Sequence, residues 1–533
     1  AFDLVKKHYG RDLTLANIPQ DDPGVYEMIT AADTLGVFQV ESRAQMSMLP
    51  RMKPTCFYDL VIEVAIVRPG PIQGDMVHPY IRRRNGEEPV EYPSEEIKAI
   101  LERTLGVPLF QEQAMEIAIV AAGFTPGEAD LLRRSMATFK FNGLVSKFEH
   151  KLVNGMTGRG YSREFAQRIF KQLEGFGSYG FPESHAASFA LLVYISCWLK
   201  RYYPEIFAAA LLNSQPMGFY QPDQIVRNAR EHGVGILPID INHSTWDNKL
   251  EEKWGEYFAL RLGFRQIKGI RDEEIQLLMK GRTKPYTSLH ELCETGVSVA
   301  TLERLANADA FRSLGLDRRQ ALWEVSALKD RPIGLFEGQD SNSKFEPQIQ
   351  LPLMQPSEHV VQDYATTGLS IKDHPVRFIR EKLTLLNVVS TKAANEAENG
   401  KLIKVAGKVL VRQRPGTAKG VCFITIEDET GTSNIIVFPQ LFDKYHKEIR
   451  NSILLMIEGK VQREGAVVHI IAQRCFNYNK LLADLTAVKN TNQPILTLSR
   501  ADEKDGPFVE HDKRGQAKEA RPQDIFHKGR NFK

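Results

Sequence analysis

Two kinds of hydrophobic periodicity divide the chain and limit the folds open to it. From Val25 to about Gln215, apolar residues recur mostly at helical spacing, with few strand-like alternations. Past Lys401 the pattern changes to short β-rich runs separated by turn sequences. These runs are 402–411, 421–427, 433–437, 453–458 and 467–472. Five short strands in succession are typical of an OB-type barrel, although a small structural barrel without a ligand is an open alternative.

Three basic residues border the first long hairpin of this predicted barrel, where such barrels often hold single strands. They are Arg412, Arg414 and Lys419. We predict that these side chains bind DNA.

A smaller mixed region lies between the helical and the β-rich parts. Tyr257 to Phe264 alternates like a strand, and a predicted helix covers 272–279. The residues between them match the turn of a helix-hairpin-helix, in which backbone N–H groups meet a DNA phosphate. These residues are Ile267, Lys268, Gly269 and Ile270. An ordinary turn is the alternative interpretation.

Composition excludes several classes of protein. The chain is 42% hydrophobic and 25% charged, as in ordinary globular proteins, and its net charge of +3 is too small to indicate a nucleic-acid partner by itself. The five cysteines are scattered with no C-x-x-C pair, which excludes a Cys-rich zinc site, argues against a disulfide framework and fits a reducing cytoplasm. No apolar run reaches the roughly 18 to 20 residues that a membrane span needs.

A basic helix follows a clear start signal. Thr125–Glu128 is a capping box with proline at the first helical position. The predicted helix carries Arg133 and Arg134 and runs to Lys140, which shares a face with Arg133. Further cations follow with few acids between them. A solvated helical face is the default interpretation of such a cluster, and an anionic partner is the alternative.

The glycine–aromatic stretch, residues 175–181, precedes a second apolar helix. Glycine permits positive φ and close approach by another molecule. Ser184 or Glu183 is the predicted cap, and His185 falls in the first helical turn, where free N–H groups and the helix dipole favour an anionic ligand. The alternative is a tight loop that packs its aromatic rings into a core.

The sequence signatures of a complete catalytic centre are missing. The chain has no D-x-D on a predicted strand, no Walker A loop, no H-E-x-x-H helix and no G-x-S-x-G elbow. Phosphate-binding parts without a centre for chemistry are typical of a fragment. We therefore expect the chain to be the later part of a longer protein.

Specific blocks occur in a fixed order along the chain: Gly36–Arg43, Val67–Pro71, Phe110–Gln113, Ala129–Arg134 and the glycine–aromatic stretch. Together they resemble the bacterial C-family DNA polymerases, the α subunit of DNA polymerase III. Within this family the chain is most similar to the error-prone, damage-inducible paralogue, because the main replicative form usually has Asn-Lys in place of Pro182-Glu183. Two further blocks, Ala308–Gly315 and Gln413–Gly420, agree with that assignment.

The resemblance implies a domain order. The implied segments are a palm remnant (1–24), fingers (25–215), a duplex-binding region with the helix-hairpin-helix (216–330), a loosely structured connector (331–385), an OB domain (386–480) and a polar tail (481–533). The expected fold is therefore multidomain α+β. It combines mostly α-helical fingers, a small helix-hairpin-helix-containing domain and a C-terminal five-stranded OB-type β-barrel.

The resemblance also implies a triphosphate site. Arg133, Arg134 and Lys140 would bind the triphosphate of the incoming nucleotide, in agreement with the charge pattern of their helix. The catalytic Mg²⁺ would be held by palm aspartates upstream of Ala1. No catalytic or metal-binding residue is then expected in this chain, and the chain alone is expected to be inactive.

Three more residues receive roles from the resemblance. Arg68 would shape the fingers or the nucleotide pocket, and Tyr179 would lie against the nascent base pair. His185 would sit near the sugar and disfavour ribonucleotides.

The implied function is template-directed DNA synthesis, of the error-prone, translesion type associated with DNA damage. The main replicative α subunit and a non-catalytic DNA-binding protein are the alternatives. The implied partners are primer–template DNA, deoxynucleoside triphosphates and mutasome accessory proteins, in the cytoplasm and without a membrane. Direct sliding-clamp binding is not indicated, because only Leu335-Phe336 hints at a Gln-x-x-Leu-x-Phe-like motif.

Overall fold

The structure is a computed structural model that describes most of the chain. The described residues are 1–67, 73–136, 144–174, 182–216, 220–328, 351–415, 418, 420–465, 467–483, 485 and 530–532. They form two compact units. The first is built from Ala1–Gly235 and Leu250–Leu260, and the second from Ile236–Lys249, Arg261–Pro415 and the elements that follow.

The first unit is mostly helical, which confirms the pattern predicted over residues 25–215. Its helices are α1 (Phe2–Tyr9), α2 (Pro23–Thr30), α3 (Arg43–Met52), α4 (Phe57–Ile66), α5 (Gln73–Arg84), α6 (Glu95–Leu101), α7 (Gln111–Val120), α8 (Pro126–Met136), α9 (Leu144–Gly158), α10 (Arg163–Glu174), α11 (Glu183–Tyr202), α12 (Pro204–Asn213) and α13 (Pro222–Glu231), with a 3₁₀ turn at Glu102–Thr104. Helices α6 to α10 share one apolar core, and α11 packs against α4 and α2.

Three short strands follow α13 along the chain: β1 (Ile236–Leu237), β2 (Lys249–Trp254) and β3 (Tyr257–Arg261). The predicted strand over 257–264 is confirmed for its first part.

The second unit begins with the predicted helix-hairpin-helix region. Its helical elements are a 3₁₀ turn at Phe264–Gln266, α14 (Asp272–Gly281), α15 (Leu289–Glu294), α16 (Val299–Asn307), a 3₁₀ turn at Arg312–Leu314, α17 (Arg318–Ser326), α18 (Pro356–Thr366), a 3₁₀ helix at Pro375–Ile379, α19 (Arg380–Leu385), α20 (Thr391–Glu396), α21 (Pro439–Lys444), α22 (His446–Asn451) and α23 (Asn479–Ala483).

Residues 356–366 and 375–385 form helices, although this part of the chain was predicted to be loosely structured. Val360, Val361 and Tyr364 of α18 lie with Val376 and Ile379 in an apolar core. Prolines caused the wrong prediction, because Pro356 and Pro375 stand at helix N-termini, where a missing N–H costs nothing.

Five strands close into a barrel, which confirms the OB-type prediction. They are β4 (Leu402–Gln413), β5 (Cys422–Asp428), β6 (Gly431–Val437), β7 (Leu454–Glu464) and β8 (Val467–Asn477). The order around the barrel is β4-β5-β6-β8-β7, and β4 closes it by pairing with both β5 and β7. All pairs are antiparallel except β6 with β8. A short strand, β9 (Arg530–Phe532), runs parallel to the end of β4.

A glycine lets β4 pass close to β5. A Cβ atom at Gly407 would lie 2.6 Å from the carbonyl oxygen of Glu427. Since real Cβ atoms do not approach a backbone so closely, only glycine fits at this crossing.

Candidate nucleotide and DNA interface

The start of α8 follows the predicted capping box. The backbone N–H of Thr125 donates to Glu128 Oε2 at 3.0 Å, and the Glu128 N–H donates to Thr125 Oγ1 at 3.4 Å. Lys151 of α9 also pairs with the Glu128 carboxylate, and together these donors lower the pKa of Glu128 to about 2. The box fixes the direction of α8 and therefore of the arginines near its end.

Both arginines of α8, Arg133 and Arg134, pair with the carboxylate of Asp130. Arg133 donates from Nε and Nη2 to Asp130 Oδ1 at 3.0 and 2.8 Å, and Arg134 Nη2 lies 2.8 Å from Asp130 Oδ2. The Arg133 side chain is 36% exposed and that of Arg134 is 71% exposed. The hydrogen bond from Arg133 is the main reason that the pKa of Asp130 is lowered. The two guanidinium groups therefore present positive charge side by side at the surface.

Asp130 was not predicted as a site residue from the sequence, although its spacing from Arg133 and Arg134 indicates that it pairs with both. An acid three and four residues before two arginines on a helix lies within reach of both. A phosphate that binds there must compete with this carboxylate.

Four of the predicted site residues lie outside the described residues. These are Arg68, Lys140, Tyr179 and Lys419.

His185 lies in the first turn of α11, as predicted. Its ring meets Phe189 edge-on at a centroid distance of 4.3 Å, and Phe189 in turn packs on Phe38 at 5.2 Å. Phe38 is 43% exposed. The imidazole of His185 therefore packs against an aromatic pair, Phe189 and Phe38, that extends to the surface.

The N-terminus of α11 is capped differently from the prediction. Neither Ser184 nor Glu183 caps it with its side chain: Pro182 is the N-cap, and the Glu183 N–H donates to Glu112 Oε2 of α7 at 3.0 Å. The predicted caps were wrong because the carboxylate comes from another helix, 71 residues earlier. An anionic group thus already lies at this helix end.

The side chain of Glu183 is held by the adjacent helices. Tyr58 donates its hydroxyl to Glu183 Oε1 at 2.7 Å, and Arg103 Nη1 lies 3.8 Å from the same oxygen. The Arg103 guanidinium stands 3.7 Å above the Tyr58 ring, a cation–π contact. Burial, followed by the bond to Glu183, raises the pKa of Tyr58. These contacts and Glu112 fix the turn that carries His185.

The four hairpin residues lie together on a turn between the 3₁₀ turn Phe264–Gln266 and α14. Ile267 is buried, and Gly269 has φ of 75°, which only glycine adopts without strain. Ile270 is partly buried.

Lys268 of the hairpin turns towards the protein. Its N–H donates to the Thr366 carbonyl at 2.8 Å, and its Nζ donates to the carbonyls of Tyr364 and Ala365 at 2.8 and 3.0 Å. Burial of the ammonium group lowers the pKa of Lys268. The residue therefore caps the C-terminus of α18, and its N–H is not available to a phosphate.

The two described arginines near the first barrel hairpin differ. Arg412 is 6% exposed, and its guanidinium donates to the carbonyls of Ile449 and Ser452. Such burial does not suit the predicted DNA contact. Arg414 donates Nε to the Gly420 carbonyl at 3.1 Å and lies 4.4 Å over the Phe442 ring, which leaves it at the barrel surface.

Within the described ranges, no three His, Cys, Asp or Glu side chains come together as a group that could hold a metal ion. Of the helices in these ranges, none has the length and apolar character needed to cross a membrane.

Three family models match the chain in succession. Residues 1–160 match the bacterial DNA polymerase III alpha subunit finger domain, residues 233–321 a helix-hairpin-helix motif, and residues 403–477 an OB-fold nucleic acid binding domain. The first match includes α8 with its arginines, and the second includes the hairpin turn.

Curated relatives match over almost the whole chain. Error-prone DNA polymerase 2 of Rhizobium meliloti (strain 1021) is 56% identical over 92% of this chain and 46% of its own length. Error-prone DNA polymerase 2 of Agrobacterium fabrum (strain C58 / ATCC 33970) is 52% identical over 99% of this chain and 49% of its own length. The error-prone DNA polymerase of Brucella abortus biovar 1 (strain 9-941) is 53% identical over 91% and 47%.

The chain spans about half the length of the curated relatives it matches. The finger-domain match, the two nucleic-acid-binding matches in the family's order and identities above one half agree with the sequence blocks and with the fold. The chain belongs to the family of the bacterial DNA polymerase III α subunit, on the branch of the error-prone DNA polymerases.

Proposed function

We propose that the chain supplies nucleotide and DNA binding to an error-prone DNA polymerase, which performs template-directed, damage-associated DNA synthesis. The observation that carries this proposal is the pair of surface arginines on α8, held side by side by Asp130 within the matched finger domain. The names of the relatives favour the error-prone type over the main replicative subunit.

The arginine pair suits a triphosphate. Guanidinium groups bind phosphate oxygens through paired, charge-assisted N–H donors. When a nucleotide binds, its phosphate oxygens replace Asp130 as the acceptors for Arg133 and Arg134. Fixed positive charge then faces the oxygens on which negative charge develops during phosphoryl transfer. Lys140 is proposed as a third cation of this site.

The aromatic pair beside His185 suits selection of the sugar. The ring packs edge-on against Phe189, and its backbone lies in a helical turn that Glu112 caps, so both would limit its movement away from a 2′-hydroxyl. We assign contact with the deoxyribose to His185, contact with the nascent base pair to Tyr179, and shaping of the nucleotide pocket to Arg68.

Primer–template DNA is the second proposed ligand. The hairpin around Gly269 is assigned to the duplex. Arg414, at the barrel surface, is assigned to the single-stranded template together with Lys419, which lies outside the described residues. Arg414 lies over Phe442, and a cation beside an aromatic ring is common on surfaces that bind single strands.

Mg²⁺ is assigned to carboxylates in the part of the longer relatives that this chain does not span. Accessory proteins of a mutasome are proposed partners. Direct binding to a sliding clamp is not proposed, because Leu335-Phe336 is the only sequence hint of a clamp-binding motif. A cytoplasmic location fits the five cysteines, all of which lie in the described residues and none of which forms a disulfide.

Equilibrium binding of dATP to the chain tests the triphosphate site. Arg133→Ala and Arg134→Ala should each weaken binding about 10- to 100-fold, because a charge-assisted contact contributes about 1.5–3 kcal/mol. Arg163→Ala, an exposed arginine at the start of α10, is the matched control and should leave affinity unchanged.

Wild-type affinity in the Arg133 and Arg134 variants would refute the triphosphate role. DNA binding with a steep salt dependence, but without nucleotide binding by the chain or synthesis by the full-length protein, would favour a non-catalytic DNA-binding protein instead.

A further inference from the structure

An exposed arginine lies directly beside the hairpin turn. Arg304 belongs to the last turn of α16, and its Nε lies 3.6 Å from the position that a Cβ atom would take at Gly269. Among the described residues, none accepts a hydrogen bond from its guanidinium group or pairs with it. The guanidinium therefore stands next to the hairpin backbone with its donors free.

The hairpin backbone also offers a free donor. Lys268 N–H is bound to Thr366, and Ile270 N–H donates to the Ile267 carbonyl at 3.4 Å. The N–H of Gly269, in contrast, meets no acceptor in the described part of the chain, and this residue is exposed. Glycine leaves open the space between this backbone and Arg304, because any side chain would enter it.

The charges around the turn make a cation necessary for binding an anion. Asp272 and Glu273, in the first turn of α14, are exposed and follow the hairpin directly. They stabilise the helix end but repel a phosphate. Lys268 cannot offset them fully, because its ammonium group is bound to the end of α18. Arg271 is exposed at the N-cap of α14, and Arg304 is the cation whose guanidinium lies 3.6 Å from the position of a Cβ atom at the hairpin glycine.

We propose that Arg304 and the Gly269 N–H together bind one backbone phosphate of duplex DNA. This assignment rests on the proposed function and names the residues of its duplex-binding surface. A guanidinium and a backbone N–H recognise phosphate but not a base edge, so the contact is independent of sequence. Lys268 is a structural residue of this surface and Arg304 its phosphate contact.

Fluorescence anisotropy with a labelled primer–template duplex tests the assignment on the whole 533-residue chain. Affinity is measured between about 50 and 200 mM salt, where each phosphate contact contributes close to one to the slope of log K against log salt concentration. Arg304→Ala should lower the slope by about one and the affinity on the order of tenfold at the low-salt end. Arg304→Lys should keep most of the slope because it keeps the charge.

Lys268→Met is the comparison variant, because it removes a cation from the same turn. It should melt at a lower temperature, since it leaves carbonyls at the end of α18 without a donor, and should keep the wild-type salt slope. An unchanged slope for Arg304→Ala in a wild-type chain that binds the duplex would overturn the Arg304 assignment alone. A drop of about one in the Lys268→Met slope, with none in Arg304→Ala, would give the contact to Lys268. A wild-type chain that does not bind the duplex at all would overturn the proposed function as well.

Discussion

A buried glutamate in α4 should make the stability of the helical unit depend on pH. Glu63 is 0% exposed, and in the described structure neither of its carboxyl oxygens has a hydrogen-bond partner. Arg84 of α5 pairs with a different carboxylate of α4, because both of its terminal nitrogens bind Asp59, at 2.6 and 2.7 Å. Burial alone raises the pKa of Glu63 from 4.5 to about 8.

The sign follows from this raised pKa. Below about pH 4.5, Glu63 is protonated in both the folded and the unfolded protein, so its ionisation does not affect the free energy of unfolding. As the pH rises from there towards about 8, Glu63 ionises in the unfolded protein but stays protonated in the folded one, and stability is lost. Each pH unit in this window costs about 1.4 kcal/mol, so the loss at pH 7 is about 3 kcal/mol. Glutamine has nearly the same shape and cannot ionise. Glu63→Gln should therefore be more stable than wild type at pH 7 by up to about 3 kcal/mol, with little difference near pH 4.

Urea unfolding at a series of pH values, followed by circular dichroism at a helical wavelength, measures this difference. Glu116→Gln is the control, because Glu116 is an exposed residue of α7, and its pH profile should run parallel to wild type. Parallel profiles for Glu63→Gln and wild type would refute the reasoning. A Glu63→Gln protein less stable than wild type at pH 7 would show that the carboxylate is ionised and paired in the folded state.

Three further predictions concern the site and the barrel. Glu112→Ala should speed hydrogen exchange of the Glu183 amide about tenfold, because a charge-assisted bond is lost, and should lessen discrimination against ribonucleotides. Glu112→Gln should recover part of both effects. Unchanged exchange in the alanine variant would contradict the capping role. Asp130→Asn should tighten dATP binding, measured by titration, because the competing carboxylate charge is removed; weaker binding would mean that Asp130 is needed to hold the arginines in place. Arg412→Met should lower the melting temperature, because it loses buried hydrogen bonds worth about 1–3 kcal/mol, but should leave the affinity for single-stranded DNA unchanged. Arg414→Ala should weaken that affinity without changing stability. The reverse pattern would restore Arg412 as a DNA contact.

The sequence predicted those features whose causes are local. The capping box of α8 and the strands of the barrel depend on residues a few positions apart, so the pattern sufficed to place them. The OB-type closure followed from the number and spacing of the strands.

Features set by distant partners escaped prediction. Lys268 is bound to carbonyls 96 and 97 residues later, and Arg412 to carbonyls 37 and 40 residues later. A basic residue next to a hairpin looks the same in sequence whether it faces DNA or caps a helix. The cap of α11 by Glu112 and the position of Arg304 beside Gly269 have the same origin, because both contacts join elements that only the tertiary fold brings together.

Strand β9 protects an edge of the barrel. At Val411–Gln413, β4 pairs with β5 on one side, and the pairing with β7 has already ended at Lys408 on the other. Arg530–Phe532 pairs with these three residues. A shortened protein that ends near residue 485 would leave their N–H and C=O groups open, and an exposed strand edge readily accepts a strand from another molecule. Such a protein should self-associate more readily than the full chain, because pairing with β9 covers this edge.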